Sequence, residues 1–298
     1  MGQASGVRRR VPVGKLRPGD HACLLFASEE ERVSVLRGFL TGGLWAAHKI
    51  LYLVGRDGPY SAHELMRRHQ IADAAVGARG QVEIVDVAQL CPDSGQFDTD
   101  LMRSRLRTAC DRARLQGYRT LRIAGDPGGA PPHDAYDRDR LLRYEALLAE
   151  EFRTQDTLTV CQYDLRRCDD EAADAVESAH PWSVEVDPLV QTAELIVVRT
   201  YRPPGLRIEG VVDAAAHRHL REALQTIAAV RGDVRLDMSR VEFLDLGGLR
   251  LLMAFARARA ARHYSVELTA LPPHLLQVIT LVGWDRTPGL RLAATHAC

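Results

Sequence analysis

His21, Cys23, Cys161 and His180 are the side chains of this 298-residue chain best suited to holding a metal or a small ligand, because imidazole nitrogen and thiolate sulfur are good soft donors. Their linear spacing matches no zinc signature, so no metal is expected. Packing is the competing use, since a buried strand takes Cys23 and Cys161 as small apolar residues. A small-molecule or haem-like ligand beside His21 is a third use. The residues alone leave all three open, with any cofactor unknown. Tyr163 and Asp164 stand at the end of a predicted strand, and Glu145 lies on the helix before it. A carboxylate there can orient a ligand or pair with Arg166 or Arg167. No nucleophile–base–carboxylate set stands out: His133 falls in a Gly/Pro-rich loop, and His217 and His219 lie on a helix read as solvated. No catalytic residue is assigned and no enzyme activity is expected.

A second constellation is the turn Asp245-Leu246-Gly247-Gly248. Val234, Leu236, Met238 and the run 241–244 predict a buried strand before it. Leu246, Leu249, Leu252, Met253, Ala256 and Ala260 recur at helical spacing after it. Asp245 is placed to cap that helix and meet the positive end of its dipole. Asp213 precedes an earlier helix in the same way. Each acid is either a plain turn or cap residue or part of a partner surface. Ser239, after Asp237-Met238, reads as a turn residue in preference to a modification site.

The elements that must position these groups alternate between strand and helix. A short strand at 22–26 leads to Ser28, which with Glu31 predicts a capping box opening a helix. A strand follows at 49–54, and strand–helix–strand at this spacing predicts βαβ units and a parallel sheet. The pattern continues with helices at 61–69, 98–116, 138–153 and 169–178, and strands at 81–87, 120–124 and 158–163. The loop 125–137 is a lid over the first site or an insertion. Residues 195–199 read as the last strand of a first domain and 201–204 as a linker. The domains are then a flexible arm at 1–17, a first domain at 18–200 and a second at 201–298.

The turn at 245–249 resembles the Asp-Ser-Ser/Thr-Gly-Leu motif of the STAS family, the anti-sigma-factor-antagonist fold. The segment 206–213 resembles that family's opening strand, and the likeness spans about 203–296. It implies docking on a protein partner such as an anti-sigma factor or a related kinase-like regulator, through Asp213, Asp245, Leu246, Gly247 and Gly248. In that family a motif hydroxyl is phosphorylated. Here Leu246 and Gly247 replace both hydroxyls, so no phosphorylation is expected. Residues 15–185 resemble the MEDS sensory family through Gly19-Asp20-His21-Ala22, Ser28-Glu29-Glu30, Tyr144-Glu145, Cys161-Gln162-Tyr163-Asp164 and His180-Pro181. This second resemblance implies a RecA-like three-layer parallel-sheet domain that senses a small molecule, with His21, Glu145, Cys161, Tyr163, Asp164 and His180 as ligand-binding candidates.

A RecA-like fold invites a test for nucleotide chemistry. A phosphate-cradling loop needs glycines followed by Lys and Ser/Thr. The matching turn is Ala27-Ser28-Glu29-Glu30-Glu31, whose carboxylates would repel a triphosphate. Formal net charge is zero, and beyond residue 200 there are only four more basic than acidic side chains, so direct nucleic-acid binding is not expected. Arg250, Arg257, Arg259 and Arg262 read as the solvent side of one helix, or as a face for an acidic partner. No apolar run approaches the roughly 20 residues of a bilayer span. The N-terminal stretch lacks a signal-peptide core, and the six cysteines form no CxxC pair. The expectation is a cytoplasmic bacterial signalling regulator with two α/β domains, a homodimer being compatible. It couples small-molecule or redox sensing to a non-phosphorylatable STAS-like module. The alternative is a degenerate RecA-like nucleotide-binding protein or weak ATPase.

Overall fold

The computed structural model describes residues 10–54, 67, 80–86, 99–125, 138–152 and 156–293. The predicted helix at 61–69 and the loop 126–137 lie outside the described residues, residue 67 apart. The chain divides into two units, Met1–Asp187 and Pro188–Cys298.

Unit 1 is a seven-stranded sheet with all described pairings parallel. Its strands are β1 (Arg10–Pro12), β2 (His21–Phe26), β3 (Lys49–Val54), β4 (Val82–Asp86), β5 (Leu121–Gly125), β6 (Thr157–Asp164) and β7 (Trp182–Glu185), in the order β1-β7-β2-β6-β5-β3-β4. Strands buried on both faces read as continuous apolar runs, which is the pattern of 22–26 and 49–54. Helix α1 (Glu29–Trp45) covers one face with Leu36, Phe39 and Leu40. On the other face, α2 (Thr99–Leu115), α3 (Arg138–Phe152) and α4 (Asp170–Ala179) pack Met102, Leu106, Leu148 and Val176 against Leu51, Ile123, Cys161 and Tyr163. The result is the three-layer architecture of the RecA-like expectation. The capping box is offset by one residue. Ser28 accepts from the Glu31 amide at 3.2 Å, while the Glu31 carboxylate accepts from the Ala27 amide at 3.1 Å.

Unit 2 is a six-stranded sheet in the order β13-β12-β11-β10-β9-β8. Its strands are β8 (Val190–Gln191), β9 (Leu195–Tyr201), β10 (Pro204–Val212), β11 (Val234–Leu244), β12 (Val266–Thr269) and β13 (Leu290–Leu292). The helices are α5 (His217–Ala228), α6 (Leu246–Ala260) and α7 (Pro273–Leu281). They share one core with the sheet, in which Leu224, Ile227, Leu252, Met253 and Ile279 meet Leu206, Ile208 and Leu236. Polar pairs such as Arg235–Glu267 and Arg240–Glu209 bridge neighbouring strands.

Two expected boundaries move. Residues 195–199 are not the last strand of the first unit: β9 pairs antiparallel with β10 along its length, from Leu195↔Gly210 to Tyr201↔Pro204. Residues 201–204 are therefore a hairpin turn, and the units meet at 187/188. Nor is all of 1–17 a flexible arm, because β1 pairs with β7 and Val13 is buried.

Candidate functional site

His21 opens β2, and Cys161 and Tyr163 lie on the neighbouring β6. The parallel register Cys23↔Cys161 and Leu25↔Tyr163, with alternation along each strand, puts His21, Cys161 and Tyr163 on one face of the sheet. Helix α3 brings Glu145 over that face, and His180 follows the last residue of α4. Four elements thus converge on one buried point. His21 Nε2 lies 3.3 Å from Cys161 Sγ and 3.1 Å from Glu145 Oε2, and His180 Nε2 lies 3.0 Å from the same oxygen.

The orientation of these groups is fixed from outside. The Tyr163 hydroxyl donates to Glu145 Oε1. His180 Nδ1 lies 2.8 Å from the Val176 carbonyl, which can only accept, so Nδ1 carries a proton and Nε2 is the nitrogen turned towards Glu145. Glu145 is 0% exposed. Burial pushes its carboxyl up, but His180 and His21 outweigh that and hold it down, at about 2. Burial, then the Glu145 charge, pushes the Cys161 thiol well above its ordinary value. Burial first, then Glu177, takes the Cys23 thiol up to about 12. Neither is an activated nucleophile.

Five of the six ligand candidates in unit 1 are therefore brought together. Asp164 is not among them. It pairs with Arg166 at the carboxyl end of β6, at 2.6 and 2.8 Å. Burial raises its carboxyl, and Arg166 overcomes that and lowers it. Cys23, on the shared face, lies 3.6 Å from the Trp182 carbonyl instead. The cluster lies between sheet and helices, with His21 at the start of β2 and Cys161 within β6, not in the crevice beyond the strand ends where open α/β sheets bind ligands. On the opposite face a second buried polar group went unpredicted. Arg32 donates to Gln162 at 2.8 Å and to the Tyr52 hydroxyl at 3.4 Å. Its helical spacing with Leu36, Phe39 and Leu40 was the available signal.

In unit 2 the candidate residues surround the first turn of α6. Asp245 Oδ1 accepts from the Gly248 amide at 2.7 Å and sits 2.7 Å from His217 Nε2. Asp213 Oδ1 accepts from the Ala215 and Ala216 amides just before α5. Asp245 caps α6 and Asp213 holds the turn before α5, and two apolar side chains near Asp245 in sequence stand exposed: Leu246 is 51% and Phe243 49% exposed. His217 was read as a solvated-helix residue and is instead the partner of Asp245. Arg259 was read as solvent-facing and is 1% exposed. Ser239 was read as a turn residue and lies instead within β11, where its amide donates to Asp237 Oδ1 at 2.9 Å.

Partial burial raises the Asp245 carboxyl, but the Gly248 amide and His217 outweigh it and hold the carboxyl below its ordinary value. A depressed folded pKa gives stability that is present above the unfolded value of about 3.9 and lost as pH falls through the folded value. Asp245→Ala is therefore expected to lose about 1 kcal/mol near neutrality, the usual value of a helix cap. Denaturant titrations across pH check this: the gap between wild type and variant narrows as pH falls below the unfolded carboxylate value of about 3.9.

A parallel three-layer α/β unit with a buried imidazole–carboxylate–thiol centre, followed by an α/β unit with a capped, hydroxyl-free turn, defines a two-module protein. The model for the methanogen/methylotroph DcmR sensory domain, MEDS, matches residues 20–181, and the chain belongs to that family. A STAS-domain model, described as Mlab, matches residues 197–292, so the chain carries a STAS domain after its sensory domain. Among solved structures, the Bacillus cell fate determinant SpoIIAA in its phosphorylated form is 19% identical, covering 34% of this chain and 92% of its own, with a TM-score of 0.28. An anti-sigma factor antagonist from Mycobacterium paratuberculosis is 24% identical, covering 35% and 88%, at 0.26. The flagellar accessory protein FlaH from Methanocaldococcus jannaschii is 9% identical, covering 62% and 78%, at 0.39. No curated protein matches the chain. Among the described residues no helix is long and apolar enough to cross a membrane.

Proposed function

We propose that this chain is a cytoplasmic signalling regulator in which the MEDS unit binds a small effector and the STAS unit docks on an anti-sigma factor or kinase-like partner without being phosphorylated at its turn. The observation that carries this reading is the turn at Asp245–Leu249. It keeps the acid and the helix of the STAS motif, but it offers an exposed Leu246–Phe243 apolar pair where the motif offers hydroxyls. A phosphoryl group needs an oxygen, and residues 246–248 supply none on a side chain. Small-molecule sensing is favoured over thiol redox sensing because the buried thiols resist ionisation. No catalytic step is part of this reading. The acidic first turn of α1, Glu29 to Glu31, opposes the weak-ATPase alternative.

The test is calorimetric titration of the full chain against purified anti-sigma kinases, with and without ATP and magnesium. Binding that survives ATP, and weakens at least ~10-fold in Leu246→Asp, is the expected result, since a central apolar anchor contributes well over 1 kcal/mol. ATP-driven release, with phosphate found on a Ser or Thr near the turn such as Ser239, would sink the reading.

A further inference from the structure

We propose that His21 Nε2, His180 Nε2, Glu145 Oε2 and Cys161 Sγ are the four ligands of a zinc ion held beneath the sheet of unit 1. The inference goes beyond the proposed function: it assigns this cluster to a metal ion and not to the small effector. The four ligand atoms all lie within 4.8 Å of one another, and all four residues are buried. Around a tetrahedral zinc, with ligands at about 2.0–2.3 Å, neighbouring ligand atoms stand roughly 3.3–3.6 Å apart. The contacts of 3.0, 3.1 and 3.3 Å fall within a few tenths of an ångström of that spacing. The widest pair needs to close by about one ångström.

The contacts are not those of an ordinary polar network. Glu145 Oε2 and His180 Nε2 are fully buried and 3.0 Å apart, yet neither makes a hydrogen bond among the described residues. His21 Nε2, 3.3 Å from Cys161 Sγ, faces the same Glu145 oxygen, so four ligand atoms converge on a common point. Buried polar atoms are nearly always satisfied, and a cation at that point satisfies both. The outer contacts fit the same use. The Val176 carbonyl fixes the His180 tautomer and the Tyr163 hydroxyl occupies Glu145 Oε1, leaving Oε2 as a single directed ligand. Such partners orient metal ligands and set their basicity.

Charge supports zinc. Two neutral imidazoles, a carboxylate and a thiolate carry two negative charges, which a divalent ion cancels in a site with no access to water. On binding, the Cys161 S–H bond breaks, the zinc–sulfur bond forms and the proton leaves to solvent. Mixed nitrogen, sulfur and oxygen donors in a four-coordinate set suit zinc better than magnesium or calcium, which take oxygen ligands. Four protein ligands leave no open position, so the site is structural: it ties β2, β6, α3 and the end of α4 together.

The experiment uses the full chain, chelator-treated and then titrated with zinc, and separately with cobalt(II) as a spectroscopic probe. The expected result is one zinc per chain, a zinc-dependent rise in melting temperature and a thiolate-to-cobalt charge-transfer band. Retained zinc should fall at least ~10-fold in Cys161→Ser and His180→Asn. Cys23→Ser, on the same face but outside the cluster, keeps both metal and band. The proposal is overturned if the wild type shows no thiolate band and no zinc-dependent stabilisation, or if the Cys161 and His180 variants fold and hold zinc as the wild type does. Should those variants not fold, the wild-type cobalt spectrum decides alone. Metal content is read without any partner protein, so failure here leaves docking at Leu246 untouched, and failure of docking leaves the metal count standing.

Discussion

Replacing Arg259 with methionine is expected to destabilise unit 2 by about 3–5 kcal/mol, the range for removing one member of a buried charged network. Arg259 lies on α6 and reaches past the end of α5. Its guanidinium donates to the Ala228 carbonyl at 3.0 Å, to Val230 at 2.6 Å and to the Gly232 carbonyl. The last carbonyls of a helix have no partner inside it, and the negative end of its dipole lies there. One planar cation therefore satisfies three acceptors and neutralises that end. The guanidinium also stacks over the Tyr264 ring, 4.9 Å from its centroid. Methionine fills similar volume but leaves three partly buried carbonyls without these donors, at up to about 1–3 kcal/mol for each group left unsatisfied. Arg262, which donates to Ala228 at 2.8 Å, can recover only one of them. Arg259→Lys should recover part of the loss, because an ammonium keeps the charge but cannot span the three acceptors. The check is hydrogen exchange across α5 and β11 in the full chain, with β2 and β6 as internal reference. Faster exchange confined to unit 2 is expected. Unchanged protection there would show that the carbonyls find water instead.

Arg259 also shows where sequence reading loses the thread. It stands three residues after Ala256 and seven after Leu252, which is the buried stripe of α6, yet Arg-rich composition made it look like one more surface charge. The βαβ order and the elements around His21, Cys161 and His180 were legible, because apolar runs and caps are local signals. What was not legible is which sheet a strand joins. The alternation in Leu195–Tyr201 fits either unit, and only its pairing with β10 assigns it to the second. The convergence of His21, Glu145, Cys161 and His180 was only half legible. Residue types marked the candidates, but linear spacing argued against a metal, since the four come from four elements separated by up to 159 positions. Asp164, two residues from Tyr163, was grouped with the site by adjacency, although its side chain meets Arg166.

Gly247→Ser is expected to destabilise unit 2 by about 1–3 kcal/mol, the range for forcing an extra group into filled space. A Cβ at residue 247 would stand 2.2 Å from His217 Cε1 and 2.8 Å from its Nε2. His217 thus fills the volume that the STAS motif gives to a Ser or Thr side chain, and it holds Asp245 from there at 2.7 Å. The glycine and the histidine are one substitution in physical terms: the small residue on α6 makes room for the ring from α5. Serine at 247 must push the ring out and break its contact with the cap. In a His217→Ala background the clash is already gone, so Gly247→Ser should there be close to neutral. Non-additivity of about 1 kcal/mol or more in the double-mutant cycle is the expected signature for residues in contact. Urea titrations of the four proteins, followed by hydrogen exchange at α6, measure it. Additive effects would mean that His217 already spends its time in solvent. A strong coupling gives the ring a second role. It fills the space beside residue 247 as well as holding Asp245, so a hydroxyl restored at residue 247 is reached from solvent only when His217 is removed with it.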